Sequence, residues 1–195
     1  MTTLLTPEFH VPMNIAYHLD PLARSIATDE VTFCISEATR AALLSAFPSA
    51  AKQLRLLPQY VDWPDSFPLM MRNLPKLKLG RYAIVVGTHE PRKNLNLLLQ
   101  ALKTPEVRRS ELRFVIIGGR GWKMDEFAVV DISDEDKARV MFAGFTTEFT
   151  KYRLLHGAEF LILPSIHEGF GIPGLEALSL GKPVLASWSS SHPEV

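Results

Sequence analysis

Two glutamates lie on either side of a glycine-rich bend in the stretch PSIHEGFGIPGLEAL, near the end of the printed sequence. Pro173 suits the first position of a helix, because its missing N–H would have no helical partner there. Gly169 and Gly171 allow the backbone to turn sharply before that helix and to approach a ligand closely. The N–H groups and positive dipole end of such a helix form an anion site. The carboxylates of Glu168 and Glu176 would repel the anion itself, so we expect them to accept hydrogen bonds from hydroxyl groups of the same ligand.

An anionic group attached to several hydroxyls describes a nucleotide sugar. Its diphosphate carries the charge, and its two sugars carry the hydroxyls. A structural explanation also exists, because the helix dipole alone favours an acidic residue in the first turn. A pair of glutamates around a bend with two glycines favours the functional interpretation.

The elements that must position this bend alternate between short apolar strands and helices. Most of the strand segments are continuous apolar runs, as in parallel sheets that are buried on both faces. This alternation predicts a Rossmann-like, doubly wound α/β fold with a parallel sheet flanked by helices. The predicted strands are 31–36, 54–58, 82–87, 112–119, 140–144, 159–165 and 183–187, and the predicted helices include 37–47, 93–102, 148–158 and 173–181.

The composition narrows the class of protein. The 21 basic residues balance the 21 acidic ones, which argues against a nucleic-acid binder because such proteins usually carry a basic face. The single cysteine, Cys34, excludes an internal disulfide and is expected in a core. No signal-peptide pattern opens the sequence, and no apolar run approaches the roughly 18 residues that span a bilayer. The expected location is therefore the cytoplasm.

The segment EGFGIPGLEALSLGKPVLAS resembles the signature of the retaining, nucleotide-sugar-dependent glycosyltransferases that have two Rossmann-like domains (the GT-B type). That signature places two glutamates in E-G-F-G-x-P-x-x-E-A, with seven residues between them, and continues with G-x-P-V; every position matches here. VVGTHEPRKNLNLLLQAL, VIIGGRGW and VMFAGF resemble other stretches of the family's C-terminal domain. VTFCISEATRAALL resembles the end of its N-terminal domain, so the resemblance covers about residues 31–195.

The resemblance assigns a role to each residue of the bend. Glu176 would bind the ribose hydroxyls of the donor nucleotide. Glu168 would contact hydroxyls of the transferred sugar. The turn formed by Gly169, Phe170 and Gly171 would donate backbone N–H groups to the diphosphate.

The resemblance also implies that Lys93 and Arg92 pair with the diphosphate. Negative charge develops on the leaving phosphate as the glycosidic bond breaks, so these cations would stabilise the transition state without a metal ion or cofactor. A solvated basic pair is the structural alternative, although the dipole disfavours basic residues at the start of a helix. Gly87, Thr88 and Phe145 are further expected donor contacts. Some family members have an arginine at the position of Thr88, so most of the phosphate role here falls to Lys93.

The resemblance predicts three parts of the chain. Residues 1–62 are expected to be the tail of an N-terminal Rossmann-like domain, residues 63–79 a proline-rich linker, and residues 80–195 a nucleotide-sugar-binding domain that is truncated at its C-terminus. The implied partners are a nucleotide-sugar donor, a saccharide or lipid-linked acceptor and the missing N-terminal domain, and no nucleic acid. A location at the inner face of the membrane, by peripheral association, is compatible with such an acceptor. We expect this chain alone to transfer no sugar.

Several segments match other known motifs only in part. GTHEPRKN lacks the second glycine and the Ser or Thr of a Walker A loop, and HEGFG lacks the second histidine of a zinc-protease helix. VIIGGRG lacks the spacing of the dinucleotide fingerprint. The D-x-D pattern from Asp134 to Asp136 follows Ser133 and precedes a helix, so helix capping explains it better than metal binding. Two other functions remain open: a non-catalytic nucleotide-sugar binding module and a sugar-nucleotide epimerase of similar shape.

Overall fold

The chain divides into two units. The computed structural model describes residues 2–64, 66–75, 77–121 and 133–195. The first unit consists of Met1–Tyr60, Ile166–Gly171 and Trp188–Val195, and the second consists of Val61–Ser165 and Ile172–Ser187. Among the described residues, none of the helices combines the length and the hydrophobicity that crossing a bilayer requires.

The first unit is built around a pair of parallel strands. Its elements are helices α1 (Thr2–Leu5), α2 (Pro12–Thr28) and α3 (Glu37–Ala46) and strands β1 (Thr32–Cys34) and β2 (Leu54–Leu56). The predicted order of strand, helix and strand is confirmed. Ser36 caps α3 as expected, since its side chain accepts a hydrogen bond from the Thr39 N–H. Cys34 is fully buried and packs with Ile26 and Leu43, which confirms its predicted place in a core.

The second unit contains a five-stranded, entirely parallel sheet. Its strands are β3 (Tyr82–Val86), β4 (Arg113–Ile117), β5 (Val140–Gly144), β6 (Leu161–Leu163) and β7 (Val184–Ala186). Its described helices are α4 (Ser66–Asn73), α5 (Leu95–Leu102), α6 (Pro105–Arg109), α7 (Asp134–Ala138), α8 (Glu148–Gly157) and α9 (Ile172–Ser179). The strands lie in the order β5-β4-β3-β6-β7, and each neighbouring pair runs parallel.

Helices cover both faces of this sheet. Successive residues of a strand point to opposite faces, so neighbours on β3 pack against different helices. On one face Ala83 and Val85 of β3 pack with the apolar stripe of α5, including Leu98. On the other face Ile84 packs with residues of α8 and α9, including Leu155. The α/β fold with a parallel sheet flanked by helices is therefore confirmed.

The unit boundaries differ from the expected division into 1–62, 63–79 and 80–195. The stretch expected to be a linker contains α4, and Met71 of that helix is 1% exposed in the core of the second unit. The indole of Trp63 stacks on Phe67 with 4.5 Å between ring centroids. The prolines that indicated a linker lie beside this helix and in its first turn, where an N–H is not needed.

The strand order places a topological switch point in the second unit. Counted from β3, the five strands run 3-2-1-4-5 across the sheet, so the chain proceeds from the centre to one edge and then to the other. The reversal falls between β3 and β6, which pair at Ile84 and Leu161. In open α/β sheets, ligands bind outside the carboxyl ends of the strands at this point. The loop that follows β3 and the helix α9 that follows β6 therefore border the expected ligand site.

Candidate functional site

Glu176 is buried on α9 and held by two donors from α8. The residue is 6% exposed and lies one turn into the helix, as predicted. Lys151 Nζ donates to Glu176 Oε1 over 2.8 Å, and the Tyr152 hydroxyl donates to the same oxygen over 3.0 Å. Lys151 Nζ also lies 2.9 Å from Oε2 of Glu148. Two adjacent residues of one helix thus fix the carboxylate of the next.

The two donors stay protonated in this environment. Burial alone would lower the pKa of Lys151, but its hydrogen bonds with Glu176 and Glu148 raise that pKa well above its ordinary value. Burial raises the pKa of Tyr152 to about 12. Both groups therefore keep donating to Glu176 at neutral pH. Both bonds end on Oε1, and within the described parts of the chain no side chain donates to Oε2, so this oxygen can accept from a ligand.

Lys93 lies over the end of β3. It closes a short 3₁₀ turn, Pro91–Lys93, and the following Asn94 has a left-handed backbone with a φ of 52°. The side chain of Lys93 folds back over Gly87, so that a β-carbon added at Gly87 would lie 3.2 Å from both Cε and Nζ. The strand-end glycine therefore gives the ammonium group room at the carboxyl end of β3. Thr88, the next residue, is exposed at the same end.

Arg92 is engaged with an acidic neighbour that the motifs did not single out. Its Nη2 lies 2.6 Å from Glu90 Oε1, and the two side chains are 16% and 2% exposed. The positive charge that was expected to pair with a diphosphate is thus balanced within the same loop. This ion pair ties the guanidinium of Arg92 to the loop that carries it.

The bend with two glycines belongs to the first unit, where hydroxyl groups tie its carbonyls. The Ser36 hydroxyl donates to the Gly169 carbonyl over 2.7 Å. The Glu168 carbonyl accepts from Ser190 Oγ over 2.6 Å and from Ser191 Oγ over 3.1 Å. These bonds hold the backbone of the bend in one conformation.

The side chains of the bend are mostly buried. Glu168 and Phe170 are each 7% exposed, so the ring of Phe170 is a packing group and only its backbone could serve a ligand. Gly171 has a φ of +99°, a region that favours glycine. A β-carbon at Gly171 would lie 3.3 Å from Cδ2 of His192, which adds a steric reason for glycine.

The remaining predicted positions have simple environments. Phe145 follows β5 and is 91% exposed, so its ring belongs to neither core. Asp136, within the D-x-D pattern, is 1% exposed and accepts from Arg108 Nη2 over 2.7 Å and from Ser133 Oγ over 2.9 Å. The hydrogen bonds from Arg108 and Ser133 hold the pKa of this carboxyl below its usual range, although burial opposes them. Ser133 Oγ also accepts from the backbone N–H of Asp136 over 3.1 Å, which confirms the predicted helix cap.

The predicted site residues are divided between the two units, and the structure adds residues that were not predicted. Glu168, Gly169, Phe170 and Gly171 belong to the first unit, and Gly87, Thr88, Arg92, Lys93, Phe145 and Glu176 belong to the second. Sequence reasoning missed Glu90, Lys151 and Tyr152. An acidic residue soon after a buried strand was an available signal for Glu90. No periodicity links Lys151 and Tyr152 to Glu176, which lies about 25 positions further on.

Comparison with known proteins identifies the family. The model of the family described as glycosyl transferases group 1 matches residues 68–195. The chain belongs to this family. The resemblance carried by the two-glutamate motif is thereby confirmed at the level of a glycosyltransferase family.

Individual relatives agree with this assignment. O-antigen chain mannosyltransferase B of Escherichia coli is 29% identical over 195 residues, which cover 97% of this chain and 51% of that protein. The MMP alpha-(1->4)-mannosyltransferase of Mycolicibacterium hassiacum is 29% identical over 163 residues, or 83% of this chain and 38% of that protein. The chain thus spans about half the length, or less, of these relatives.

A solved structure shares the fold. HepE of Anabaena, crystallised in complex with UDP and glucose, superposes with a TM-score of 0.69 at 18% identity. The match covers 98% of this chain and 52% of HepE. At this level of identity, the likeness is evidence for the fold alone.

Proposed function

We propose that this chain provides the donor-binding part of a glycosyltransferase that uses a nucleoside-diphosphate sugar. The observation that carries the proposal is the carboxylate of Glu176. It is buried on a helix at the topological switch point, its Oε1 is fixed by two donors, and its Oε2 is available to a ligand. A fixed acceptor of this kind suits a ribose hydroxyl, because hydroxyls donate well to carboxylates.

The diphosphate is assigned to the end of β3. Lys93 would neutralise the phosphate charge there, and the Gly87–Thr88 backbone allows close approach. Arg92 supports the same loop through Glu90. As the glycosidic bond breaks, the leaving nucleotide gains negative charge, and a fixed ammonium group stabilises it. The mechanism proposed here uses neither a metal ion nor a cofactor.

The roles of the bend are proposed from the family motif. Glu168 would accept hydrogen bonds from the transferred sugar, and the N–H groups of Gly169, Phe170 and Gly171 would approach the diphosphate. The hydroxyl groups that tie the bend support this role, because a pre-organised backbone needs no reordering when the ligand binds. Phe145 is proposed as an exposed ring beside the donor.

A mannosyl donor is the first choice among hexosyl and deoxyhexosyl groups, because several relatives are named as mannosyltransferases. Transfer with retention of configuration, and an acceptor that is a saccharide or a lipid-linked glycan, are proposed from the resemblance of the two-glutamate motif to the retaining family. The acceptor side would come from an N-terminal domain. We further propose that the whole protein works in the cytoplasm and associates peripherally with the inner face of the membrane.

The donor proposal is tested by the thermal stability of the chain with uridine, guanosine, adenosine and thymidine diphosphate sugars. A donor at a hundred times its dissociation constant should add about 2.7 kcal/mol to the free energy of unfolding. Glu176→Gln and Lys93→Ala should each lose most of that gain, measured against their own ligand-free stability. Glu106→Gln, an exposed carboxylate on α6, is the matched control and should keep it. Equal gains in all four proteins would overturn the assignment.

Transfer itself needs a second experiment. The 195-residue chain is expected to transfer no sugar, and a longer form that includes the N-terminal domain is expected to do so. Incubation of that longer form with donor and no acceptor separates the alternatives, since an epimerase would still convert the donor. Binding without transfer in the longer form would instead identify a binding module.

A further inference from the structure

The second unit contains a cavity at the amino ends of its strands, whereas Lys93 lies at their carboxyl ends. It has a volume of about 420 Å³ and is lined by residues that precede strands rather than follow them. Gly80 comes before β3, Glu159 before β6 and Lys182 before β7. All five strands are parallel, so these positions all lie at the amino ends of the strands. The proposed donor site lies at the carboxyl ends of the strands, so the cavity is separate from it.

Cationic side chains dominate the lining of this cavity. Arg72, Arg153, His156 and Lys182 line it, and Glu159 is its one carboxylate among the described residues. Glu159 Oε1 lies 3.2 Å from Nε of a further cation, Arg81, which immediately precedes β3, so the charge of Glu159 is partly neutralised already. The cavity thus carries a net positive charge even with a neutral imidazole.

Among the described residues, these cations have few acceptors. Arg153 Nη2 donates to the Pro75 carbonyl over a long 3.3 Å, and nothing in the described residues accepts from its buried Nε. Burial lowers the pKa of His156, and the nearby Lys182 and Arg72 lower it further. Burial also lowers the pKa of Lys182, with only a partial offset from Glu159. An anion in the cavity would accept from Arg153 and would stabilise the charged forms of His156 and Lys182. The Arg153 guanidinium would give up only its long bond to the Pro75 carbonyl by turning towards the anion.

We propose that this cavity binds the phosphate group of a phosphorylated ligand. Guanidinium and ammonium groups together suit a phosphate, which carries up to two charges and several acceptor oxygens. The cavity is larger than a phosphate, and its remaining wall includes the apolar side chains of Leu74 and Leu77. That wall would contact the organic part of the ester. The ligand is either a small soluble phosphate ester or the headgroup of a phospholipid.

The binding step is tested by titrating the imidazole of His156 by NMR, in the full 195-residue chain, with its signal assigned from His156→Gln. Sodium phosphate should raise the pKa of His156, because a bound anion stabilises the imidazolium form. Sodium chloride at the same ionic strength should not. An equal rise with chloride, or no rise with phosphate, would contradict the proposal.

Variants then locate the site. The double variant Arg153→Gln/Lys182→Gln should weaken phosphate binding by at least about tenfold, because two charge-assisted contacts are lost. Lys103→Gln, at the exposed end of α5, should bind like the wild type. Folding of the double variant is checked from the dispersion of its amide spectrum. If a well-folded double variant binds phosphate as tightly as Lys103→Gln, the cavity is not the site.

The two ligand sources are separated by a pair of measurements on the same proteins. Glycerol phosphate in solution tests a small ester, and sedimentation with phosphatidylglycerol or phosphatidylcholine vesicles tests a lipid headgroup. Binding to phosphatidylglycerol vesicles that the double variant loses identifies a lipid site. Binding of glycerol phosphate alone identifies a soluble ligand. Failure of the donor sugars to bind would leave this result unaffected, because His156 reports phosphate binding at the amino ends of the strands, away from the proposed donor site.

Discussion

Lys151 Nζ lies 2.8 Å from Glu176 Oε1, and the two side chains are only 15% and 8% exposed. A buried ion pair adds little to stability over well-packed apolar residues, because removing two charges from water costs about as much as their attraction returns. The pair is therefore better explained by what the carboxylate does than by the energy of the contact. We infer that Lys151 is a positioning residue, which holds Glu176 ready for a ligand hydroxyl.

Replacing Lys151 by methionine should destabilise the chain by about 3 kcal/mol, because the buried Glu176 carboxylate would lose its charged partner. Tyr152 would still donate to Oε1, so we expect the fold to survive. The free energy of unfolding is measured by urea denaturation. A second change, Glu176→Gln, should restore part of the loss in the double variant.

Lys137→Met is the matched control for this change. Its ion pair with Asp134 has similar geometry at 3.1 Å, but the side chains are 58% and 98% exposed. Loss of this exposed pair should change the free energy of unfolding by less than about 0.5 kcal/mol. Similar losses at Lys151 and Lys137 would show that burial of the Glu176 pair has no energetic consequence.

Arg92 and Lys93 should separate into a structural and a binding residue, although they are adjacent. Arg92→Met takes a charged partner from Glu90, which is 2% exposed, and should destabilise the chain by on the order of 3 kcal/mol. Lys93→Met should abolish the stabilisation by a donor sugar. Urea denaturation with and without donor measures both quantities. Loss of the donor effect in Arg92→Met, with the effect kept in Lys93→Met, would assign the main phosphate role to Arg92.

Much of the fold could be predicted from the sequence, because continuous apolar runs separated by helices permit few arrangements. The strand 140–144 was predicted with its observed limits, and 159–165 contains the shorter β6, Leu161–Leu163. Helix α2 was not predicted. Its apolar residues Ile15, Leu19, Leu22 and Ile26 recur at helical spacing, but the interior Pro21 is a residue that usually ends a helix.

The site was predictable as far as local chemistry extends. The motif placed Glu176 one turn into a helix, and the structure agrees, although α9 begins at Ile172 rather than Pro173. The partners of Glu176 come from another helix, and only tertiary packing brings them together. The same limit explains the unit boundary: residues 166–171 join the first unit, where hydroxyls such as that of Ser36 bind their carbonyls.

Gly171→Ala should destabilise the chain by about 1–3 kcal/mol, because an L-residue is strained at a φ of +99°. Its β-carbon would also approach His192 Cδ2 to 3.3 Å. Gly119→Ala is the control, since a β-carbon there meets nothing within 4 Å, and it should change stability by at most about 0.5 kcal/mol. Thermal denaturation of both variants gives the comparison. Equal stabilities would mean that the bend accepts alanine without strain.

His89 should make stability depend on pH in the weakly acidic range. The residue follows β3 and is 7% exposed, its ring lies edge-on to Phe142, and within the described chain its buried Nε2 has no hydrogen-bond partner. Burial lowers its pKa from the ordinary value of 6.5. As the pH falls through 6.5, the unfolded chain therefore binds a proton that the folded chain resists, and the free energy of unfolding decreases.

This dependence is measured by urea denaturation at about pH 7.5 and about pH 5, with an NMR titration of the His89 imidazole beside it. His89→Gln should lose less stability than the wild type between the two pH values, because it removes the group that resists protonation. His18→Gln, on the exposed surface of α2, should behave like the wild type. If His89→Gln and His18→Gln show the same pH dependence, or if the imidazole of His89 titrates at or above 6.5, burial does not control this histidine.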